Sequence, residues 1–496
     1  MTISAELKVR QHITRGRFFL LQLLPPIAAI AIIAAESHIP LPPAMTRVLA
    51  IMMWMIVWWL SEIIPLGVTA LLPILCFPLL GIMDLRTATS AYGDPIVFLF
   101  MGGMILAMAL EKWQLHRRLS LYILRFTGHS PRGILLGFMV ATAFISLWIS
   151  NTATTLMMLP LVLSVLRAIG QEDIGDKNSS LRPFAVALLL GVAYASSIGG
   201  MGTLIGTPTN AVFASYSARY NNIGINFGEW MINIIPLVLI LFIVTWFLLG
   251  ARLRRIDNDA FKNALEKLSS ERRSLGKIGP DEKKMLLVFF ITAFLWMFHN
   301  PITGYLNLPA LSDTAIAVAA AISLFFIPAR DSKSQFLLEW HDIQRMPWNI
   351  LLLFGGGLCL ASALESSGTL QWLGNNFLSD LQAWHPLMAM LAVTLLVTFL
   401  SEIMSNVALI TILLPMLHAI SIASDIPFFV IAVPATLAAS CGFMLPMATP
   451  PNAIVFSSGS IRIHEMMRSG LALNLVASLI IALYMQLPFL KQFLEP

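Results

Sequence analysis

Long apolar runs separated by short polar stretches make up almost the whole of this 496-residue chain. Runs long enough to approach a bilayer crossing lie at 18–35, 46–61, 63–82, 95–118, 184–215, 230–250, 285–300, 311–328, 348–370, 427–457 and 471–489. A crossing helix needs about 20 apolar residues. The pattern therefore predicts an all-α polytopic membrane protein with about eleven transmembrane helices, several of them tilted. Two further runs, 132–168 and 385–420, are too long for one helix, and each is broken midway by Ser-Asn. Each is expected to enter and leave on one side of the membrane as a re-entrant helical hairpin. The stretch 251–284 is the one sizeable hydrophilic segment and reads as a charged cytoplasmic linker between two halves of similar length.

Composition agrees with the pattern. Hydrophobic residues make up 57% of the chain and charged residues 11%, against about 25% charged in a soluble domain. So few charges cannot clothe a water-facing surface, which excludes a soluble enzyme, a disordered chain and a nucleic-acid binder. The net charge of +5 follows from basic residues kept in cytoplasmic loops. With the N-terminus cytoplasmic and both hairpins non-crossing, the inner loops hold 27 of the 31 Lys and Arg residues, leaving Arg47, Arg86, Arg219 and Lys491 outside with the C-terminus. Basic residues Lys8, Arg10, Arg15 and Arg17 precede the first apolar run, which is long for a signal peptide and contains Pro25-Pro26, so it is expected to stay as the first membrane helix. Cys76, Cys359 and Cys441 sit in apolar runs and form no metal-binding pair.

The halves repeat one another. FMGGMILAMALE at 100–111 matches FGGGLCLASALE at 354–365 at eight of twelve positions. ISNTATTLMMLP at 149–160 pairs with MSNVALITILLP at 404–415, and GTPTNA at 206–211 with ATPPNA at 448–453. The offsets are 254, 255 and 242, the slip matching a longer loop at 170–182. With the first hairpin on the inner side and the second on the outer, the repeats are inverted. Such an architecture places a binding site near the midplane, where the halves meet.

The repeated blocks are polar breaks in apolar segments. Ser150-Asn151 and Ser405-Asn406 occupy the hairpin tips; Thr207-Pro208 and Thr449-Pro450-Pro451 interrupt the runs 184–215 and 427–457. Proline removes a backbone donor and disfavours helix in the preceding residue. Irregular backbone survives in a membrane only when buried or lining a cavity. Freed carbonyls with Ser hydroxyl and Asn amide oxygens suit a hard monovalent cation such as sodium. Helix N-termini suit an anion. Ser146 and Ser150 are spaced i, i+4, and so are Ser401 and Ser405, making a plausible cation cup in each half. No Lys or Arg lies near these breaks in sequence. A bound anion would draw its counter-charge from helix dipoles and bound cations, so anion and cation should bind cooperatively.

These motifs resemble those of the divalent anion:sodium symporters, the INDY-like carriers of dicarboxylates, citrate and sulfate in solute carrier family 13. The resemblance covers roughly residues 40–490. Its hallmark is two Ser-Asn-Thr tips, each followed by a Thr-Pro-Pro-Asn-like break. It implies one sodium site of Ser146, Ser150, Asn151 and Gly206 and a second of Ser401, Ser405, Asn406 and Ala448, with Gly206 and Ala448 lending backbone carbonyls. It implies a substrate held between the tips by Ser150, Asn151, Thr152, Thr207, Pro208, Ser405, Asn406, Val407, Thr449 and Pro450. The sequence departs from that pattern at Val407, where a Thr is usual, and at Thr209, where a second Pro is usual; both departures bear on substrate choice.

The likeness further implies an elevator carrier that works as a homodimer with sodium as the coupling ion, no other cofactor and no catalytic residue. The moving part would hold the hairpins, 184–215, 427–457 and the second halves of 95–118 and 348–370. The organisation expected is 1–94, mostly scaffold; 95–250, the first repeat core; 251–284, the linker; 285–347, scaffold helices; and 348–496, the second repeat core. The function expected is sodium-coupled symport of succinate, malate, fumarate or citrate. An exchanger or a sulfate carrier on the same fold is the first alternative, and a membrane enzyme or channel the second.

Several other residues carry expectations of their own. Glu402 sits in the second hairpin, opposite the apolar Leu147 of the first, and reads as a hydrated face or an ion pair before a proton or cation role. Glu111 and Glu365 hold matching positions and are read as capping or pairing groups near helix breaks. His299, His385 and His418 read as interfacial histidines. GGMGTLIG at 199–206 has no strand before it and no Lys after its last Gly, so it is not a phosphate loop.

Overall fold

The computed structural model describes residues 15–126, 130–169, 181–220, 223–253, 268–306, 311–330, 334–377, 385–424 and 426–494. Lys8, Arg10, most of the 170–182 insertion and 254–267 of the linker lie outside the described residues. Within them the secondary structure is helical, apart from one isolated bridge between Pro328 and Phe336. Eight helical segments are long and apolar enough to cross a membrane: Pro43–Ser61, Leu85–Lys112, Asn151–Ala168, Arg182–Gly200, Phe227–Gly250, Trp348–Ser366, Asn406–Ala423 and Ile463–Tyr484. A ninth is the pair Pro280–Met297 and His299–Tyr305, bent by 76°. Shorter apolar helices, among them Pro131–Ser146, Asp313–Phe326 and Phe428–Ala438, make up much of the rest.

Proline divides the run expected at 63–82. It forms Leu66–Thr69 and Leu72–Leu79, with Pro65 before the first, Pro73 in the first turn of the second and Pro78 inside it. The run 95–118 is also two elements. Pro95–Lys112 ends at Gln114, whose φ is +52°, and the amphipathic helix Leu115–Leu124 follows. The second half does the same at Gly368, φ +73°, between Trp348–Ser366 and Thr369–Phe377. Gln114 N–H donates to Glu111 O (2.9 Å) and Gly368 N–H to Glu365 O (3.0 Å). Glycine enters this left-handed region freely, whereas Gln114 carries a Cβ there at a cost. The glutamates thus serve these turns through their carbonyls, and both residues are exposed on the protein.

The chain folds as two compact units. One comprises Met1–Val97, Pro347–Ala383 and Thr411–Phe428; the other comprises Phe98–Met346, Trp384–Ile410 and Phe429–Pro496. In the first, Arg15–Ala34 lies along Pro43–Ser61, and Trp348–Ser366 packs on Leu66–Thr69. Gly355 and Gly356 lie so close to Tyr92 and Ala70 that a Cβ on either would overlap them, and Tyr92 Oη donates to Ala70 O. These glycines serve close packing inside an unbroken helix. His418 packs on Phe428.

In the second unit the almost wholly buried helix Arg182–Gly200 packs against both arms of the first hairpin, Pro131–Ser146 and Asn151–Ala168. Phe227–Gly250 packs on that helix and on Ile463–Tyr484, which also covers Pro386–Leu400, the first arm of the second hairpin. His385 caps that arm, accepting from Leu387 N–H at 3.3 Å, and His299 marks the 76° bend. Ion pairs join Lys112 to Asp342 (2.7 Å), Arg118 to Glu282 (3.0 Å) and Arg182 to Glu465 (2.9 Å). Burial pushes the Asp342 carboxyl up, but the Lys112 and Glu339 N–H bonds and the Lys112 and His341 charges outweigh it. They hold the carboxyl below its ordinary range. All three cysteines are buried and free.

Candidate functional site

Both hairpin tips and both helix breaks belong to the second unit. Each tip arises where an apolar helix ends at or just before a serine, Ser146 or Ser401, and a new helix starts on an asparagine. Pro131–Ser146 stops and Asn151–Ala168 begins, with Ser150 Oγ capping the new helix by accepting from Ala153 N–H at 3.4 Å. Pro386–Leu400 stops and Asn406–Ala423 begins. The breaks lie between Arg182–Gly200 and Pro208–Tyr220, and between Phe428–Ala438 and Pro450–Phe456. Thr449 caps the last of these, its Oγ1 accepting from Asn452 N–H at 3.3 Å.

The first tip gathers oxygens. Ser146 is fully buried, and its Oγ lies 2.7 Å from Asn151 Oδ1 and 2.7 Å from Ser196 O. One hydroxyl carries one proton and can donate to only one of these acceptors. Gly206 closes the cluster: a Cβ there would fall 2.5 Å from Gly200 O and 2.9 Å from Ser146 O. Asn151 Oδ1 lies against Gly200 just as closely. Thr203 Oγ1 ties the break to the tip by donating to Leu147 O and accepting from Gly206 N–H. Ser146, Asn151 and Gly206 therefore meet, Ser150 is exposed at the rim, and Thr152 is half-buried.

The second tip is built differently. Ser401 Oγ donates to Thr398 O of its own helix at 2.8 Å. Ser401 still lies against the break, because a Cβ on Gly442 would fall 3.2 Å from Ser401 Oγ and 3.0 Å from the Ala448 Cβ. Asn406 Oδ1 is buried with no hydrogen-bond partner. Ser405 and Val407 are half-buried. Thr207 and Thr449 are buried, Pro208 is half-buried and Pro450 exposed.

Glu402 is buried rather than on an open face, and among the described residues it has no ion pair. It is 3% exposed. Its Oε1 accepts from Met444 N–H (2.9 Å) and Asn474 Nδ2 (2.6 Å), its Oε2 from Leu445 N–H (2.8 Å). Asn474 Oδ1 in turn accepts from Phe443 N–H at 3.2 Å. The carboxyl group thus fixes the chain of the second break by accepting three hydrogen bonds.

Hydrogen bonds also join the halves break to break. Thr207 Oγ1, Thr209 Oγ1 and Ser440 Oγ form a chain with 3.3 Å steps, and Tyr194 Oη donates to Phe443 O at 2.8 Å. Among the described residues no ion pair includes a residue of either tip. Ser196, Thr203 and Asn474 contribute to this region without having been singled out in the sequence, where nothing but their small polar character inside apolar runs sets them apart. Asn210 and Asn452 do stand in the matched GTPTNA and ATPPNA blocks, a repeat signal that could have marked them.

Residues 19–490 match the family model of the sodium:sulfate symporter transmembrane region. The chain is 38% identical over 440 residues to a sodium-dependent dicarboxylate transporter, SdcS, of Staphylococcus saprophyticus, covering 88% of this chain and 84% of that one. It is 36% identical to SdcS of Staphylococcus aureus over 486 residues, covering 97% and 93%. Among solved structures it is similar in fold to the Neisseria gonorrhoeae efflux pump MtrF, with a TM-score of 0.54 at 13% identity over 84% of each chain. It is likewise similar to the Alcanivorax borkumensis transporter YdaH, with a TM-score of 0.53 at 14% identity over 81% of this chain and 88% of that one.

Proposed function

The chain belongs to the sodium:sulfate symporter family, and from that premise we propose that it is a secondary active carrier, not an enzyme, moving a small dicarboxylate together with sodium. Succinate, malate and fumarate are the substrates favoured, with citrate next. Sodium is the coupling ion. The observation that carries the reading is the cluster at Ser146 Oγ, where Asn151 Oδ1 and Ser196 O both lie 2.7 Å from the serine oxygen and share its one proton. A hard monovalent cation relieves such a cluster better than a hydrogen bond does.

One sodium ion is assigned to Ser146, Ser150, Asn151 and Gly206, and a second to Ser401, Ser405, Asn406 and Ala448. The anion is assigned to the space served by Ser150, Asn151, Thr152, Thr207, Pro208, Ser405, Asn406, Val407, Thr449 and Pro450. With no ion-paired cation at the tips, substrate charge is balanced by sodium and by the N-termini of Asn151–Ala168, Pro208–Tyr220, Asn406–Ala423 and Pro450–Phe456. Removing sodium then weakens anion binding, and linkage makes the effect reciprocal.

The wider reading is an integral plasma-membrane protein, in the inner membrane if bacterial, with its N-terminus cytoplasmic and its C-terminus outside. It has eleven crossings and two re-entrant hairpins, 132–168 and 385–420, in inverted repeat cores 95–250 and 348–496 joined by the linker 251–284. Hairpins and broken helices move as an elevator against a dimerising scaffold drawn from 1–94 and 285–347. Uptake of labelled succinate, citrate and sulfate into proteoliposomes, with and without an inward sodium gradient, tests this. Succinate uptake that needs the gradient supports it. Sulfate uptake alone would reassign the substrate, and uptake driven only by internal counter-anion would make the protein an exchanger.

A further inference from the structure

The two helix breaks share a device that the tips do not. Carbonyls at the end of an interrupted helix and in the irregular chain beyond it have no helical N–H partner and, inside a membrane, must find others. In the first break Asn210 Nδ2 lies 3.5 Å from Gly200 O, 3.0 Å from Met201 O and 2.8 Å from Thr203 O. In the second Asn452 Nδ2 lies 3.0 Å from Gly442 O and 3.0 Å from Leu445 O. Each asparagine reaches back ten residues and seven residues, so the register is the same in both halves. Both side chains are fully buried, and among the described residues neither Oδ1 atom has a hydrogen-bond partner. Each carboxamide is therefore anchored by its nitrogen alone.

In each half one residue whose carbonyl is so gathered, Gly200 or Gly442, adjoins the tip. Gly200 O is one of the two oxygens pressed on Gly206, beside Ser146 O, and Gly442 lies against Ser401 and Ala448. We infer that Asn210 and Asn452 are positioning residues for the two sodium sites: their amide nitrogens hold the break carbonyls in the arrangement that faces each tip, one asparagine per ion. This rests on the sodium-carrier reading. Neither residue touches the ion; each sets how much sodium the site beside it needs.

The test uses the full-length purified chain, reading melting temperature against sodium concentration and sodium activation of succinate uptake. Asn210→Asp and Asn452→Asp keep the shape but put an oxygen where a donor stood. Asn210→Ser and Asn452→Ser keep a single donor. The Asp variants should raise the sodium concentration for half-maximal stabilisation about fivefold or more. The Ser variants should raise it less, and half-saturation by succinate at saturating sodium should stay unchanged throughout. A variant whose melting temperature falls equally with and without sodium, at an unmoved sodium midpoint, overturns the inference, because a merely structural asparagine behaves that way. Where an Asp variant does not fold, the matching Ser variant decides by the same midpoint. A native protein that responds to sodium in neither assay overturns the carrier reading itself, and the inference with it.

Discussion

The two hairpin tips descend from one sequence pattern and reach order by different means. In the first, order comes from the tip itself: Ser146 Oγ lies 2.7 Å from both Asn151 Oδ1 and Ser196 O, and Gly206 admits the carbonyls of Gly200 and Ser146. In the second, Ser401 turns back to its own helix, Asn406 Oδ1 has no partner, and Ala448 stands where the first half has Gly206. What replaces the missing contacts is Glu402, whose carboxylate gathers the backbone of 444–445 and Asn474, while the first half has the apolar Leu147 at that position. The first tip is thus crowded with hydroxyl, amide and backbone oxygens, and the second is steadied from behind by a buried carboxyl group. Sequence repeats need matched backbone, not matched chemistry.

The sharpest way to break this comparison is at the matched pair Gly206 and Ala448. A methyl on Gly206 meets two backbone carbonyls, at 2.5 and 2.9 Å, and backbone cannot swing aside as a side chain can. Gly206→Ala should cost about 1–3 kcal/mol and leave little sodium-driven uptake. Ala448→Gly removes a methyl from a position built to hold one and should cost about 0.5–1 kcal/mol, mainly in chain entropy. Uptake assays and thermal melts on both variants read the contrast, and equal losses would mean that the two breaks are packed alike.

Glu402→Gln comes next. The amide keeps one acceptor but turns an NH2 group toward a backbone N–H or the Asn474 amide, so a charge-assisted bond is lost and two donors face each other. Stability should fall by about 1.5–3 kcal/mol, seen as a lower melting temperature both with and without sodium. A large shift in sodium affinity at unchanged stability would instead make Glu402 an ion ligand.

Much of this site was legible in the sequence because it lies where the chain breaks its own rules. Ser-Asn and Thr-Pro inside apolar runs mark the ends of Pro131–Ser146, Arg182–Gly200 and Pro386–Leu400, and the paired blocks mark which breaks correspond. The offset of 254 even recurs in backbone geometry, at the left-handed turns of Gln114 and Gly368. Gln114 hides that turn in the first half, since only its partner is a glycine. The run 63–82 reads as one span by hydropathy, yet three prolines divide it; periodicity measures apolarity and is blind to missing N–H groups. The Glu402–Asn474 bond spans 72 residues, and no local pattern announces a partner that the fold alone brings near.

Ser146→Ala and Ser401→Ala sharpen the comparison at the sites themselves. The first removes an oxygen held at 2.7 Å from two partners, the second an oxygen bonded within its own helix. Ser146→Ala should lower stability by about 1 kcal/mol, and Ser401→Ala by less. Both should raise the sodium needed for half-maximal uptake if both serines are ligands. Sodium titration of uptake, run beside thermal melts, separates the two effects. A sodium requirement moved by Ser146→Ala alone would restrict the coupling ion to the first half.

The smallest effect is expected at Val407, the tip position where the first half carries Thr152. Valine and threonine are nearly the same size, so Val407→Thr adds a hydroxyl with little change of volume, and the half-buried position lets that hydroxyl reach water. The melting temperature should scarcely move, and the sodium dependence should stay as it is. What should move is the ranking of succinate, citrate and sulfate in a competition assay, by a few-fold at most, since a solvent-accessible hydroxyl adds no more than about one ordinary hydrogen bond to an anion. An unchanged ranking would take Val407 off the substrate side of the tip. The asymmetry between the halves would then concern only how the ions are held.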